Sequence, residues 1–276
     1  MRITENVHAI RHTFSIPISP SVSVERFVYS YLIIGDGLTL VDCGIAASKR
    51  EIYDEIKEVG CGPDDIKRLI LTHAHPDHIG CAMSINQDSG CKIEAHPAAR
   101  AWIEDIELQE RERPVPGFKS LVEGPVKVDA ELSEGKIDIA GVNAYCIWTP
   151  GHSPDSTSLH LSDEGVIISG DAIPVMGDLP IFTDAAESMV SIERLRAIED
   201  IEYLLSSWHP PLRGEFAQKA FDEGMAWIGK IRDAARSEDP KDPMIFAGKV
   251  VDRLGLPPAA KNPLVAQSIM AAAKLG

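Results

Sequence analysis

The chain has 276 residues, long enough for one large α/β domain with a small addition and for a substantial buried core. Its formal net charge of −15 is spread along the sequence, without the clusters of Lys and Arg by which proteins bind nucleic acids and anionic membranes. No apolar stretch reaches the roughly 20 residues of a membrane span. Residues 1–14 show no apolar signal core, so we predict a cytoplasmic protein.

Strand and helix patterns alternate in the first third of the chain. Residues 7–13 and 26–35 are rich in β-formers, and Gly35-Asp36-Gly37 predicts a hairpin turn into the strand at 38–44. A helical stripe follows and stops at Gly60. The next β-rich run, residues 68–72, leads directly into the sequence HAHPDH at 73–78. We therefore expect three histidines and an aspartate in a loop at the C-terminal end of a strand, where α/β proteins collect their functional groups.

The rest of the chain repeats this alternation before becoming helical. We predict a strand at 91–96, a helix at 97–108, an insertion loop at 111–129, strands at 135–150, 156–162 and 165–171, and a long helix at 188–206. From residue 216 onward the strand patterns disappear. The sequence thus predicts a catalytic domain over residues 1–215 and a helical C-terminal region, 216–276, packed on it.

The density of imidazoles in HAHPDH indicates a metal site. Histidines packed this closely would repel one another when protonated, whereas neutral imidazoles and carboxylates are ligands that zinc prefers. One turn of backbone does not bring four side chains to one ion, so we expect a second ion with ligands from elsewhere. The candidates lie at later strand ends beside Gly or Pro: His152, Asp171 and His209.

The order VDCG, HAHPDH, TPGHS, SGD and a late histidine resembles the metallo-β-lactamase superfamily over about residues 1–215. The resemblance implies a four-layer αββα sandwich, here with a helical C-terminal appendage. It implies that Asp171 bridges two divalent ions and that Asp42 steadies the ligand loop. Trp208 stands where the family usually has a glycine. The family assigns one ion to His73, His75 and His152, and the other to Asp77, His78 and His209.

Such a pair of ions, most simply zinc with iron or manganese as alternatives, can share a water and lower its pKa to about 7 or below. The resulting hydroxide would be the nucleophile, and Asp77 is the candidate to hydrogen-bond it. A serine nucleophile is disfavoured, because the sequence Gly151-His152-Ser153-Pro154-Asp155 lacks the second glycine of the G-x-S-x-G elbow.

Several branches of the superfamily fit this chain poorly. The net charge disfavours RNA processing, and His75 disfavours flavodiiron chemistry, in which glutamate takes that place. The segment after Asp171 lacks the tyrosine of the lactonase branch, which weakens that alternative without excluding it. We therefore expect a glyoxalase II-like hydrolase that cleaves a small thioester, ester or lactone. A single-iron persulfide dioxygenase-like enzyme and a phosphodiesterase remain the alternatives.

Five cysteines, an odd number without a C-x-x-C pair, predict reduced and mostly buried thiols. The apolar residues of three irregular segments, Phe14, Phe118, Met176 and Phe182, either line the substrate pocket or only cover the edge of the sandwich. The oligomeric state, a monomer or a homodimer, is left open by the sequence.

Overall fold

A computed structural model describes residues 1–19, 22–238 and 242–275. The chain divides into two compact units, which consist of Met1–Ile147 with Leu159–Val166 and of Trp148–Ser158 with Ile167–Gly276. The functional division at residue 215 is of a different kind and stays a prediction. Within the described ranges, the helices are too short or too polar to cross a membrane.

The first sheet lies in the first unit and has six strands. They are β1 (Val7–Ser19), β2 (Val22–Gly35), β3 (Gly37–Val41), β4 (Ile66–Leu71), β5 (Lys92–Ala95) and β6 (Ala130–Glu131), in that spatial order. The predicted hairpin is present, since β2 pairs with β3 in antiparallel fashion across the turn. Strands β3, β4, β5 and β6 are parallel, so the residues that follow β3, β4 and β5 emerge at one edge of this sheet.

The helices of the first unit cover this sheet. They are α1 (Lys49–Glu58), α2 (Pro76–Ile79), α3 (Ala82–Ser89), α4 (Arg100–Glu104), α5 (Ile106–Glu112) and α6 (Phe118–Leu121). The apolar stripe of α1 buries Ile52 and Ile56 completely in the same core as Leu40 and Leu69 of the sheet. Burying each of these two side chains stabilises the fold by roughly 2 kcal/mol.

The helix predicted over 97–108 is broken into α4 and α5. Asp105 interrupts it, because its side chain accepts a hydrogen bond from Leu108 N at 2.9 Å and thereby caps α5. The predicted insertion loop at 111–129 also contains α6, which begins after Gly117 in a left-handed conformation.

The second sheet also has six strands, which are β7 (Gly135–Ile139), β8 (Val142–Trp148), β9 (Thr157–Leu161), β10 (Val166–Gly170), β11 (Tyr203–Ser206) and β12 (Leu212–Arg213). Their order is β12-β11-β10-β9-β8-β7. Short 3-10 turns connect elements of the chain at Ala46–Ser48, Pro63–Asp65, Pro97–Ala99, Ser162–Glu164 and Pro258–Ala260.

The helices of the second unit are α7 (Ala185–Arg196), α8 (Glu215–Ala235), α9 (Pro243–Arg253) and α10 (Pro263–Ala273). The helices predicted after residue 216 are present. Helix α10 packs against α8 and α9. The long helix predicted over 188–206 is wrong in its second half. Asp200 adopts a left-handed φ of 60°, and the apolar residues of 203–206 form the buried strand β11 instead.

Candidate metal centre

The HAHPDH sequence lies where the sequence pattern places it, directly after β4. Residues 72–75 are irregular, and Pro76 opens the short helix α2 that carries Asp77 and His78. His73, His75 and His78 are 1%, 4% and 0% exposed, a degree of burial that isolated charged imidazoles would not tolerate. The first unit therefore supplies a compact group of buried nitrogen donors.

Asp42 organises this group from the end of the neighbouring strand β3. Its Oδ1 accepts from Thr72 N at 2.8 Å, and its Oδ2 accepts from Thr72 Oγ1 at 2.7 Å and from His78 Nδ1 at 2.8 Å. Both oxygens of this buried carboxyl group therefore have hydrogen-bond donors. Asp42 reaches these partners with a left-handed φ of 57°, a conformation that costs free energy in a non-glycine residue.

These contacts assign the protons on two of the rings. The one hydroxyl proton of Thr72 goes to Asp42, so His73 Nδ1, at 3.1 Å, must donate to Thr72 Oγ1 and carries the lone pair on Nε2. His78 donates through Nδ1 to Asp42 and likewise carries its lone pair on Nε2. His73 Nε2 lies 3.0 Å from His75 Nδ1, and His78 Nε2 lies 3.8 Å from Asp77 Oδ2.

The second unit contains another pair of donors, His152 and Asp171. His152 Nδ1 lies 2.7 Å from the carbonyl oxygen of Ile181, which can only accept, so Nδ1 carries the proton and Nε2 the lone pair. His152 Nε2 lies 3.3 Å from Asp171 Oδ2. A lone pair and a carboxylate oxygen repel one another at this distance unless a cation or a proton lies between them. The pair thus has the chemistry of a metal-binding site.

The turn before His152 depends on Gly151. Its φ is +131°, and a Cβ there would lie 2.3 Å from Ser188 N, so only glycine fits. Its carbonyl oxygen accepts from Thr183 N at 2.7 Å and from Asp184 N at 3.0 Å at the start of α7. The sequence TPGH is therefore a rigid support for the His152 side chain.

His209, the third candidate of the second unit, is only half-buried. Partial burial lowers its pKa below the ordinary value, while the negative charges of Glu223 and Asp178 act in the opposite direction. Its neighbour Trp208 points its indole N–H at Asp171 Oδ2, 2.9 Å away. The tryptophan that departs from the family pattern is thus a hydrogen-bond partner of a candidate ligand.

Ser153 belongs to a hydroxyl network within the second unit. It is 1% exposed, and its Oγ lies 2.7 Å from Ser156 Oγ. A nucleophilic serine needs a general base within hydrogen-bond reach, and Ser156 is not a base.

Two residues that support the ligand loop lie outside every sequence motif: Thr72 and Gln109. Thr72 bridges Asp42 and His73, and Gln109 of α5 donates through Nε2 to the carbonyl oxygen of Ala74. Thr72 could be found from its position at a strand end, but Gln109 lies in the charged stretch IELQERE and gives no signal.

The metallo-beta-lactamase superfamily model matches residues 24–205, well over half of the chain. Among solved structures, a beta-lactamase domain protein from Burkholderia ambifaria matches with a TM-score of 0.71 and 20% identity over 98% of this chain and 86% of that one. A metallo-beta-lactamase family protein from Thermus thermophilus gives a TM-score of 0.67 and 20% identity over 95% and 91% of the two chains. The chain belongs to the metallo-beta-lactamase superfamily, and the predicted fold is confirmed.

Curated relatives agree with this membership. A probable metallo-hydrolase, YqgX of Bacillus subtilis (strain 168), is 31% identical over 52% of this chain and 65% of its own length. A hydroxyacylglutathione hydrolase of Hyphomonas neptunium is 28% identical over 60% of each chain. The chain thus spans about three fifths of the length of these relatives.

His73 with His75, and His152 with Asp171, are donor pairs able to hold a metal ion.

Proposed function

We propose that the protein is a binuclear metal-dependent hydrolase that cleaves a small thioester, ester or lactone. The observation that carries the proposal is the tautomer of three buried histidines. In His73, His78 and His152, Nδ1 donates a hydrogen bond to a fixed partner, and the lone pair is on Nε2. Metal-ligating histidines are oriented in this way by carboxylates and carbonyls.

The donor set fits two divalent ions, most simply zinc. In this proposal one ion would be held by His73, His75 and His152, the other by Asp77, His78 and His209, and Asp171 would be a ligand for both. The assignment of the seven ligands rests on the family pattern. Bound ions of this kind supply Lewis acidity and lower the pKa of coordinated water to about 7.

Asp42 and Asp77 have further roles in this proposal. Asp42 accepts hydrogen bonds from His78 Nδ1 and from Thr72 N, which keeps the ligand loop in one conformation. Asp77 has a side chain that is 19% exposed, whereas the side chain of His78 is fully buried. We assign Asp77 Oδ2 as the group that accepts a hydrogen bond from the attacking water and orients it.

The substrate class rests on relatives and charge. Two hydroxyacylglutathione hydrolases are similar to this chain at 28% and 24% identity, which favours a thioester. The net charge of −15 disfavours nucleic acid, so we propose a small-molecule substrate.

Metal analysis and a substrate panel test the proposal together. Protein purified without chelator should carry close to two ions per chain and hydrolyse at least one thioester, ester or lactone. Asp171→Ala should lower the metal content. A wild type that stays at one ion under metal-replete conditions contradicts the binuclear site, and one iron without zinc would favour a dioxygenase. Hydrolysis of phosphodiesters or cephalosporins alone contradicts the proposed substrate class.

A further inference from the structure

Gln109 is the fully buried residue of α5, with 0% of its surface exposed. Glutamine is seldom found fully buried, because its amide loses hydrogen bonds to water that the protein must replace. An apolar side chain at this place would pack at no such cost. The Gln109 amide is therefore expected to have a role other than packing.

The amide makes one hydrogen bond and leaves another group unsatisfied. Nε2 donates to the carbonyl oxygen of Ala74, while buried Oε1 has no hydrogen-bond partner among residues 1–19, 22–238 and 242–275. A buried acceptor without a partner costs about 1–3 kcal/mol. Gln109 thus contributes little to the stability of the fold, and its amide donates a hydrogen bond to the ligand loop.

That contact lies between two candidate ligands. Ala74 O belongs to the peptide group that joins Ala74 to His75, and this group is planar. A donor that fixes the oxygen therefore fixes the direction in which the backbone enters His75. Residues 72–75 lie between strand β4 and helix α2 and belong to neither.

Helix α5, which carries Gln109, is itself held in place. Asp105 caps α5, and Trp102 Nε1 of α4 donates to Glu112 Oε2 at 2.7 Å, which joins the two helices. The Trp102 ring lies 6.5 Å from the His75 ring, with 28° between their planes. Gln109 of α5 thus contacts the backbone just before His75, and the Trp102 ring of α4 lies beside the His75 ring.

We infer that Gln109 is a positioning residue of the metal centre: it pins the Ala74–His75 peptide group and so aims the His75 imidazole. Asp42 fixes the loop at Thr72, before His73, and Gln109 fixes it two residues later. The inference rests on the proposed function, because aiming His75 matters only if His75 binds metal.

Metal affinity and apo-protein stability, measured on the full chain, separate this role from a structural one. Gln109→Met keeps the volume and removes the donor. Its zinc affinity, from competition with a chromophoric chelator, should fall 10- to 100-fold, and the absorption bands of its cobalt form should shift. The Tm of the metal-free variant should stay within about 3 °C of wild type or rise. Gln87→Met, on the exposed face of α3, is the matched control and should change neither quantity.

Three results would overturn the inference. Wild-type zinc affinity and cobalt bands in Gln109→Met would do so, as would a loss of affinity matched by a loss of apo-protein stability. If Gln109→Met does not fold, Gln109→Asn, whose shorter amide does not reach Ala74, should show the same loss of affinity. Failure of both variants to unfold cooperatively would make Gln109 structural. A wild type that binds neither zinc nor cobalt would instead overturn the proposed function itself.

Discussion

Asp42 Oδ2 and His78 Nδ1 lie 2.8 Å apart, although the two residues are 36 positions apart in the chain, and both are almost completely buried. The contact exists because β3 and β4 are parallel neighbours, which places the residue after β3 beside the loop that follows β4. This pair fixes which nitrogen of His78 is basic. It therefore gives the most direct test of how the ligand loop is organised.

Asp42→Asn should weaken metal binding about 10- to 100-fold and destabilise the protein by about 1–3 kcal/mol. The amide has the size of the carboxyl group and tolerates the left-handed conformation, but its nitrogen cannot accept from Thr72 or His78. Isothermal titration with zinc and urea unfolding measure the two effects. Asp54→Asn, at an exposed carboxyl group, is the control. Unchanged zinc affinity in Asp42→Asn would show that this carboxylate does not organise the site.

Trp208→Phe should lower the affinity for the ions that Asp171 holds, about 10-fold or more. The substitution removes the N–H that donates to Asp171 Oδ2 but keeps an aromatic ring in place. Calorimetric titration of the apo-protein resolves the separate binding steps. Trp227→Phe, at a tryptophan of α8 whose indole N–H has no hydrogen-bond partner among the residues that the structure describes, should leave every step unchanged. Identical titrations for both variants would argue against a role for the indole.

Ser153→Ala should keep hydrolytic activity within about tenfold of wild type, a change of ~1.4 kcal/mol in the barrier. Ser153 contacts Ser156 rather than a base, so it is not placed to attack a substrate. His75→Ala and Asp77→Ala should remove most activity, since they remove proposed ligands. The panel ester or thioester that reacts fastest serves as the assay, with chelator inhibition alongside. Chelator-resistant activity that disappears in Ser153→Ala would refute the metal mechanism.

His12 should make the protein less stable in acid. Burial lowers the pKa of this side chain from 6.5 to about 4, so the unfolded state binds more protons than the folded state between these values. Stability is therefore lost as the pH falls from about 6.5 towards 4, by an amount on the order of 3 kcal/mol. His12→Gln, which keeps a polar side chain beside Ser30, should show a smaller loss over this window in urea unfolding. Parallel pH profiles for the two proteins would contradict this origin.

All five thiols should titrate after denaturation without reductant, because the structure has five free cysteines. In the native protein Cys61, the partly exposed one, should react first with a disulfide reagent at pH 8. Burial raises the pKa of Cys146 to about 12 and also raises the pKa of Cys43 and Cys91, which suppresses their reactive thiolates. Cys61→Ser should abolish the fast phase. A fast phase that persists would mean that a buried thiol is accessible.

Local sequence was enough to place most elements and the ligand types. Periodicity and turn residues predict the β2–β3 hairpin, α1 and the C-terminal helices, because these depend on contacts close in the chain. HAHPDH indicates a metal site by composition alone, since so many neutral imidazoles have no other purpose in one loop. The prediction of a helix over 188–206 was wrong in its second half, because the apolar residues of 203–206 fit a helical stripe as well as a buried strand. Pairing within the sheet stabilises the strand.

Sequence by itself therefore determined the family and the fold, through the resemblance of its ordered motifs, and the kinds of donor, through residue type. Only the tertiary structure decided which groups support those donors. Thr72 between Asp42 and His73, Trp208 on Asp171, and Gln109 on Ala74 are contacts made by folding, and two of them join residues more than 30 positions apart. Apart from the strand-end position of Thr72, no local pattern marks these contacts, because a hydrogen bond between distant segments depends on how strands and helices bring their backbones together.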